Sequence, residues 1–263
     1  MFNKEKMPNF AQRFMNIQNP YQGVEHKVFK RTFLQSAEVG VEFDPPMTSE
    51  DFSVRIVPFV NDVFKQNIKE GIDSTTERAQ LNSSNNQVQF DFTLKSAKVI
   101  IGQPSYKSFS SSALQFIQVL VRFIKEVVNT STVNRVYIKK TNIWPIESKN
   151  SKQSLKGALF FIFKEEHIDD IANIKFEESD YPVSAAKEAV VKCGDSASLR
   201  AVIRVELSDS THINSILGLE AQASDVNIDD IVPALSQLND IVFCAFTDVV
   251  SDNIFDLMSK EAL

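Results

Sequence analysis

The stretch from Ser110 to Val128, SSSALQFIQVLVRFIKEVV, carries the clearest helical pattern of the chain. Its apolar residues recur at intervals of three and four positions, which places them on one broad face of a helix. They are Ala113, Phe116, Ile117, Leu120, Phe123, Ile124 and Val127. Such a face must be buried against another element, and the neighbouring strand patterns make a sheet the expected partner. The sequence therefore predicts a helix packed on a β-sheet.

Strand patterns occur on both sides of this helix. In most of them apolar and polar residues alternate, as in a strand with one buried face. The predicted segments are a strand that ends at Phe43-Asp44-Pro45, a hairpin over 87–103 that turns at Lys95-Ser96, a strand over 133–144 closed by Pro145, extended structure over 172–193, and strands over 199–207 and about 213–222. Because these strands are grouped with hairpins and do not alternate strictly with helices, the predicted fold class is α+β, with antiparallel-rich sheets packed by helices.

Three further helices and one long loop complete the prediction. The helices run from Thr48 to about Ile68 with Pro58 inside, over 155–164 after a Ser154 cap, and from Ile228 to about Met258 after a cap at Asn227 or Asp229. Hydroxyl, amide and carboxylate side chains before an apolar periodic run are typical helix starts. Residues 71–86 are rich in Ser, Thr and Asn and are predicted to form a loop.

The polar segment 148–153 is the predicted boundary between two lobes. We divide the chain into an N-terminal arm (1–33), an N-terminal α+β lobe (34–148) and a C-terminal α+β lobe (149–263) packed on the first as one unit. With 263 residues, of which 43% are hydrophobic, the chain can build a core of its own.

Charge is distributed unevenly along the chain. The net charge is −6, yet residues 1–35 carry six basic and two acidic side chains, whereas residues 206–263 carry eleven acidic side chains and one lysine. This polarity predicts that the arm docks on the acidic end, within one molecule or across a dimer. An acidic end disfavours nucleic acid as a partner without excluding it.

The sequence also predicts the cellular compartment of the protein and the state of its cysteines. It lacks an apolar run long enough to cross a bilayer and an export signal, so we expect a cytoplasmic protein with no membrane contact. Cys193 and Cys244 are then expected to be free thiols.

A resemblance to a known family rests on the strand Arg135-Val136-Tyr137-Ile138-Lys139-Lys140-Thr141-Asn142. It resembles the Arg-Ile-Gly-Leu-Arg-Tyr-Ile-Asn strand of a sporadically distributed family of bacterial proteins of unknown function. The closing helix is similar as well, with Leu238-Asn239, Phe246 and Val250-Ser251-Asp252 where that family has Leu-His, Phe and Ile-Thr-Asp. The chain departs from the pattern at Lys140, where a tyrosine is usual, and at Asn239, where a histidine is usual.

Basic residues in and after this strand form the candidate binding site. They are Arg135, Lys139, Asn142, Lys149 and Lys152, which would bind an anion or an acidic surface. Strand spacing places Arg135 and Lys139 on one face and Asn142 on the other. The alternative is structural, with the cations paired to carboxylates of the acidic terminal helix such as Asp248 or Asp252.

Other chemistry-bearing residues favour structural roles. The run Glu165-Glu166-His167-Ile168-Asp169-Asp170 has the composition of a metal site, but it is contiguous, and a solvated charge cluster is the favoured interpretation. Cys193 has no local base to activate it as a nucleophile. We therefore expect no metal and no cofactor.

The favoured function is a non-catalytic protein-interaction or assembly module that binds another protein or a second copy. The patchy occurrence of the family implies an accessory bacterial system, such as defence or toxin neutralisation. The chain has seven glycines and no phosphate-loop, dinucleotide or Gly-x-Ser-x-Gly motif, so an enzyme is disfavoured. The alternatives are a nucleotide- or nucleic-acid-binding protein that uses the basic strand and, more weakly, a hydrolase with a composite carboxylate site.

Overall fold

A computed structural model describes residues 16–21, 29, 32–64, 73–74, 77–83, 85–147, 152–172, 184–207 and 212–260. Nine strands in this part of the chain form one sheet. They are Leu34–Glu42 (β1), Asp73–Ser74 (β2), Arg78–Asn82 (β3), Val88–Thr93 (β4), Ser96–Gly102 (β5), Thr132–Glu147 (β6), Ser184–Lys192 (β7), Ala197–Leu207 (β8) and His212–Asn227 (β9). Their order is β2-β3-β4-β5-β1-β6-β9-β8-β7, and every neighbouring pair is antiparallel.

Six α-helices of the described residues accompany the sheet. They are Ser49–Val63 (α1), Leu114–Phe123 (α2), Lys152–Ile162 (α3), Glu165–Ala172 (α4), Ile231–Val249 (α5) and Asp252–Ser259 (α6). The predicted α+β class is confirmed. Helix α2 continues at both ends as π-helical turns, Phe109–Ala113 and Ile124–Val128, so the predicted 110–128 helix is confirmed too. Among the described residues, no helix is both long and apolar enough to cross a membrane.

The six helices cover one face of the sheet, hereafter the covered face. Side chains alternate between the two faces of a strand, and the alternate residues Val39, Val41, Val136 and Ile138 of the two central strands are fully buried. Phe123 of α2 lies against Phe92 of β4, with ring centroids 4.6 Å apart. The opposite face carries no helix of the described residues and is hereafter the open face.

Helix α1 begins where its sequence indicates. The Thr48 hydroxyl accepts a hydrogen bond from the Asp51 backbone N–H at 3.1 Å, which satisfies one of the unpaired donors of the first turn. Pro58 lies inside the helix, and the helix ends at Val63 rather than near Ile68.

Strand β6 does not end at Pro145 as predicted but runs on to Glu147. The Ile143 N–H donates to the Phe33 carbonyl oxygen at 2.9 Å, so the nitrogen of Pro145, two residues on, points to the same side. Strand β1 begins only at Leu34. The missing N–H of Pro145 therefore lies beyond the ladder between β1 and β6, where a proline is tolerated.

Two other local predictions were wrong. Residues 71–86 were predicted to form a loop, but Arg78–Asn82 is a strand because Ala79 and Leu81 bury their side chains while β3 pairs with β4. Helix α3 begins at Lys152, so Ser154 lies inside the helix and not before its first residue.

The predicted long terminal helix is two helices. Val250 is extended, and it pairs with Phe163 in an isolated antiparallel bridge. The Lys164 N–H donates to the Val249 oxygen at 3.0 Å, and the Ser251 N–H donates to the Ile162 oxygen at 2.9 Å. These backbone bonds to the segment around the end of α3 replace the helical bonds at the break. At the start of the helical region, the predicted cap by Asn227 is present.

Most of the predicted arm lies outside the described residues, including all six of its basic side chains. The described part contacts the C-terminal half of the chain through neutral groups. Ile17 pairs with Gly194, the Asn19 amide lies 3.3 Å from the Cys244 sulfur, and the ring of Phe29 packs on Phe255. Gly194 has a φ of +101°, and a side chain there would collide with the Asn16 carbonyl oxygen.

Candidate functional site: the two faces of strand β6

Strand β6 divides the predicted binding residues between the two faces of the sheet. Arg135 and Lys139 lie on the open face, whereas Asn142 lies on the covered face and is only 6% exposed. Lys140, the neighbour of Lys139, also points to the covered side. Lys149 lies outside the described residues, and of Lys152 only its place at the start of α3 is described.

Arg135 is held in a network of open-face side chains. Its guanidinium donates to Glu42 Oε1 at 2.7 Å, to Gln222 Oε1 at 2.6 Å and to Glu220. It also lies over the ring of Tyr137, 4.6 Å from the centroid. Charge-assisted bonds of this kind are the strongest that an arginine makes. Its carboxylate partners belong to β1 and β9, not to the terminal helix at Asp248 or Asp252.

Alternating charges form a row across four strands of the open face. Glu38 of β1 stands opposite Lys139 of β6, Lys139 stands opposite Glu220 of β9, and Glu220 stands opposite Arg200 of β8. Opposite charges on directly facing residues stabilise neighbouring strands. These four residues are hereafter the charge row.

Tyr137 is the buried anchor of the open face. Its hydroxyl donates to Glu38 Oε1 at 2.8 Å, and burial, with help from Glu38, raises the pKa of Tyr137. The residue stands opposite Gly40. A Cβ added to Gly40 would come within 2.5 Å of the Tyr137 ring atom Cε1 and hydroxyl oxygen, so only glycine leaves room for the ring.

A cleft of about 700 Å³ opens on the covered side of the same strand. Its floor holds Lys140 and Asn142, and its walls come from α5, α6 and the segment after β5. Lys140 Nζ donates to Asn239 Oδ1 at 2.8 Å and lies 5.3 Å from the centroid of the Tyr106 ring. The cleft therefore brings one cation together with an amide and an aromatic face.

Burial lowers the pKa of Lys140 to about 8, and the nearby Asp240 only partly opposes the shift. The Tyr106 hydroxyl is buried and has no hydrogen-bond partner among the described residues, and burial raises its pKa. An unpaired buried hydroxyl costs about 1–3 kcal/mol. Titratable groups with shifted pKa values in a cleft are typical of functional sites.

The shifted pKa of Lys140 predicts a pH-dependent stability. Between the folded pKa of about 8 and the unfolded value of about 10.4, the unfolded chain binds more protons, so stability rises with pH. We expect the free energy of unfolding to increase by roughly 2 kcal/mol between about pH 7.5 and 9.5 relative to Lys140→Met. Urea unfolding at both pH values measures it, with Lys95→Met, at an exposed lysine in the turn between β4 and β5, as control. Equal pH slopes in the wild type and Lys140→Met would contradict it.

The other residues that the sequence offered as metal ligands or nucleophile lie in surroundings that indicate structural roles. In the acidic run, His167 lies 3.4 Å from Asp248, and Asp170 lies 3.1 Å from Lys187. No three His, Cys, Asp or Glu side chains of the described residues are placed to share a metal ion. Cys193 is buried, which raises the pKa of its thiol.

In comparisons with known sequences, no protein-family model matches the chain, and no curated protein matches it. Within the described residues, the fold and the site define an α+β protein whose antiparallel sheet is covered by helices on one face and carries none on the other. The resemblance to the bacterial family of unknown function stays a prediction. Lys140 and Asn239, the two departures from that family's pattern, are hydrogen-bonded to each other.

Proposed function

We propose that the chain is a non-catalytic assembly module whose open face binds a second copy of the same chain. The charge row carries the proposal. Glu38, Lys139, Glu220 and Arg200 alternate in sign along a line across the sheet. A surface with this pattern can be complementary to itself, which a two-fold symmetric dimer requires.

The geometry of such a dimer follows from the row. A two-fold axis in the interface plane, crossing the row midway between Lys139 and Glu220, reverses the row on the second copy. Lys139 then lies over Glu220 of the partner subunit, and Glu38 lies over Arg200 of the partner subunit. Opposite charges meet at all four positions, whereas an axis along the row would bring like charges together.

The area of the open face and its exposed apolar side chains also support this face as the dimer interface. Five neighbouring strands, about 4.8 Å apart and roughly 33 Å long, present roughly 800 Å², which is about what one partner buries in a standard interface. Val190 on β7 lies on the open face and is 64% exposed, and Val202 and Ile216 on β8 and β9 lie on the same face, partly exposed.

Binding of a nucleotide or a nucleic acid to the open face is less well supported than binding of a second copy. A phosphate that approached Arg135 or Lys139 would also meet Glu38, Glu42 and Glu220, and repulsion between like charges opposes its binding. The role in an accessory system such as defence or toxin neutralisation rests on the family resemblance alone and stays a prediction.

Two charge reversals test the dimer. Lys139→Glu and Glu220→Lys should each weaken self-association at least tenfold, because each places like charges face to face twice in the dimer, and like-charge contacts cost several kcal/mol. Mixing the two variants should restore association, because every contact in the mixed dimer again joins opposite charges. Sedimentation velocity on each variant and on the mixture measures this.

The control is Lys125→Glu, the same charge change on the covered side, where Lys125 pairs with Asp229. It should dimerise like the wild type. A wild-type chain that stays monomeric at 100 μM, or a mixture that associates no better than its components, would overturn the proposal.

A further inference from the structure

The cleft above Lys140 is separate from the surface proposed for assembly, because it opens on the covered side of the sheet. Apolar side chains make up much of its lining: Leu219, Val242, Phe243, Phe246, Phe109 and Met258. Its volume of about 700 Å³ falls within the usual range for small-molecule sites, about 300–1,000 Å³. Such sites combine apolar walls with a few polar groups that orient the ligand.

Lys140 is the polar group best placed to orient a ligand. Its ammonium has three N–H donors, one of which is used by Asn239 at 2.8 Å. Another neighbour among the described residues is the face of the Tyr106 ring, which accepts no conventional hydrogen bond. The ammonium therefore has donors left for an acceptor in the cleft.

The charges of the cleft favour an anion. Among the described residues that line it, the charged ones are Lys140, Lys107 and Asp240, two cations and one anion. The partner of Lys140 on α5 is a neutral amide, so the ion pair that would neutralise the ammonium directly is missing among the described contacts. A partly buried cation whose direct hydrogen-bond partner is neutral is stabilised by an anionic ligand.

We propose that this cleft binds a small molecule with an apolar body and a single carboxylate, which accepts hydrogen bonds from Lys140 Nζ while the apolar body packs against α5 and α6. A carboxylate matches the remaining donors of the ammonium. The apolar walls favour a hydrocarbon chain or ring over a polyphosphate, which would bring several charges into a largely apolar space.

Calorimetry with decanoate, and with decanol as its neutral counterpart, tests the inference below the micellar concentration. At pH 7 we expect decanoate to bind the wild type at least tenfold more tightly than decanol, because the charge-assisted bond is absent in the alcohol. Lys140→Met should reduce the affinity for decanoate to that for decanol. Equal binding of the two compounds by the wild type, or no binding of either, would overturn the proposal.

The pH profile separates an ionic role of Lys140 from a purely structural one. The carboxylate stays ionised from about pH 7 to 9.5, so the affinity of the wild type for decanoate should fall over this range as Lys140 loses its proton. Of the described residues that line the cleft with Lys140, the other titratable ones are Asp240, Tyr106 and Lys107. Lys140→Met should show no such fall, and an identical profile in both proteins would contradict the assignment.

Two bulky substitutions test whether the ligand binds in the cleft while Lys140 is left unchanged. Ser236 and Gln237 are adjacent, exposed residues of α5, but only Ser236 lines the cleft. Ser236→Trp should abolish decanoate binding, and Gln237→Trp should leave it unchanged. Retained binding in Ser236→Trp would place the ligand elsewhere. Because the assembly test reads self-association and this one reads ligand binding, either proposal can fail without the other.

Discussion

Truncation of Phe123 to alanine is expected to lower the free energy of unfolding by about 3–5 kcal/mol. Phe123 is completely buried where α2 meets the sheet. Its ring lies 4.6 Å from Phe92, 5.6 Å from Phe59 and 6.4 Å from Phe43, measured between centroids. The substitution removes apolar contacts on several sides at once and leaves a cavity that the surrounding strands and helices cannot fill.

Phe161→Ala is the matched control, because it makes the same chemical change at a side chain that is 46% exposed. We expect it to cost less than about 1 kcal/mol, as exposed substitutions usually do. Urea unfolding of the two variants and the wild type gives the comparison. Similar losses in both variants would show that the cluster around Phe123 is not the centre of the core.

The sequence predicts helices and strands well where one element carries its own pattern. The 110–128 helix is found because seven apolar residues repeat along it, and β1 is found because Val39, Val41 and Phe43 alternate with polar residues. Strand β3 was missed because only Ala79 and Leu81 mark it within a polar segment. Pairing with β4, the next strand along the chain, decides its structure, and the intrinsic strand preference of a short polar segment does not reveal that pairing.

The break between α5 and α6 has the same kind of cause. The residues Val249-Val250-Ser251 contain neither glycine nor proline to stop a helix, although Ser251 before Asp252 is a typical helix start and is the N-cap residue of α6. The reason for the break is the backbone pairing of this segment with Ile162, Phe163 and Lys164, which belong to a distant part of the chain.

The candidate site could be predicted only in part. Strand spacing alone places Arg135 and Lys139 on one face of the sheet and Asn142 on the other. It does not reveal that Glu42 and Glu220 form ion pairs with Arg135, because these pairs depend on the register of three strands. Lys140 could have been found. The alternation Val136, Ile138, Lys140 puts a lysine at an inward position, which is a signal for a buried cation.

Gly40→Ala is expected to destabilise the fold by about 3 kcal/mol, at the upper end of the usual cost of overpacking. The new methyl group would displace the Tyr137 ring. Moving the ring would break the hydrogen bond to Glu38 and the stacking of Arg135, so one added carbon disturbs a network of three side chains. Denaturant unfolding at about pH 7 would measure the loss.

Two comparisons test whether the loss of stability in Gly40→Ala comes from the collision with the Tyr137 ring. Gly218→Ala adds the same methyl group to the same face, but its nearest neighbour would be the Val202 carbonyl oxygen at 3.9 Å, so it should be nearly neutral. In a Tyr137→Ala background the collision partner is gone, and Gly40→Ala should then cost less than about 1 kcal/mol, a clear departure from additivity. If Gly40→Ala cost the same with and without the ring, backbone conformation rather than the cross-strand collision would be what requires glycine in β1.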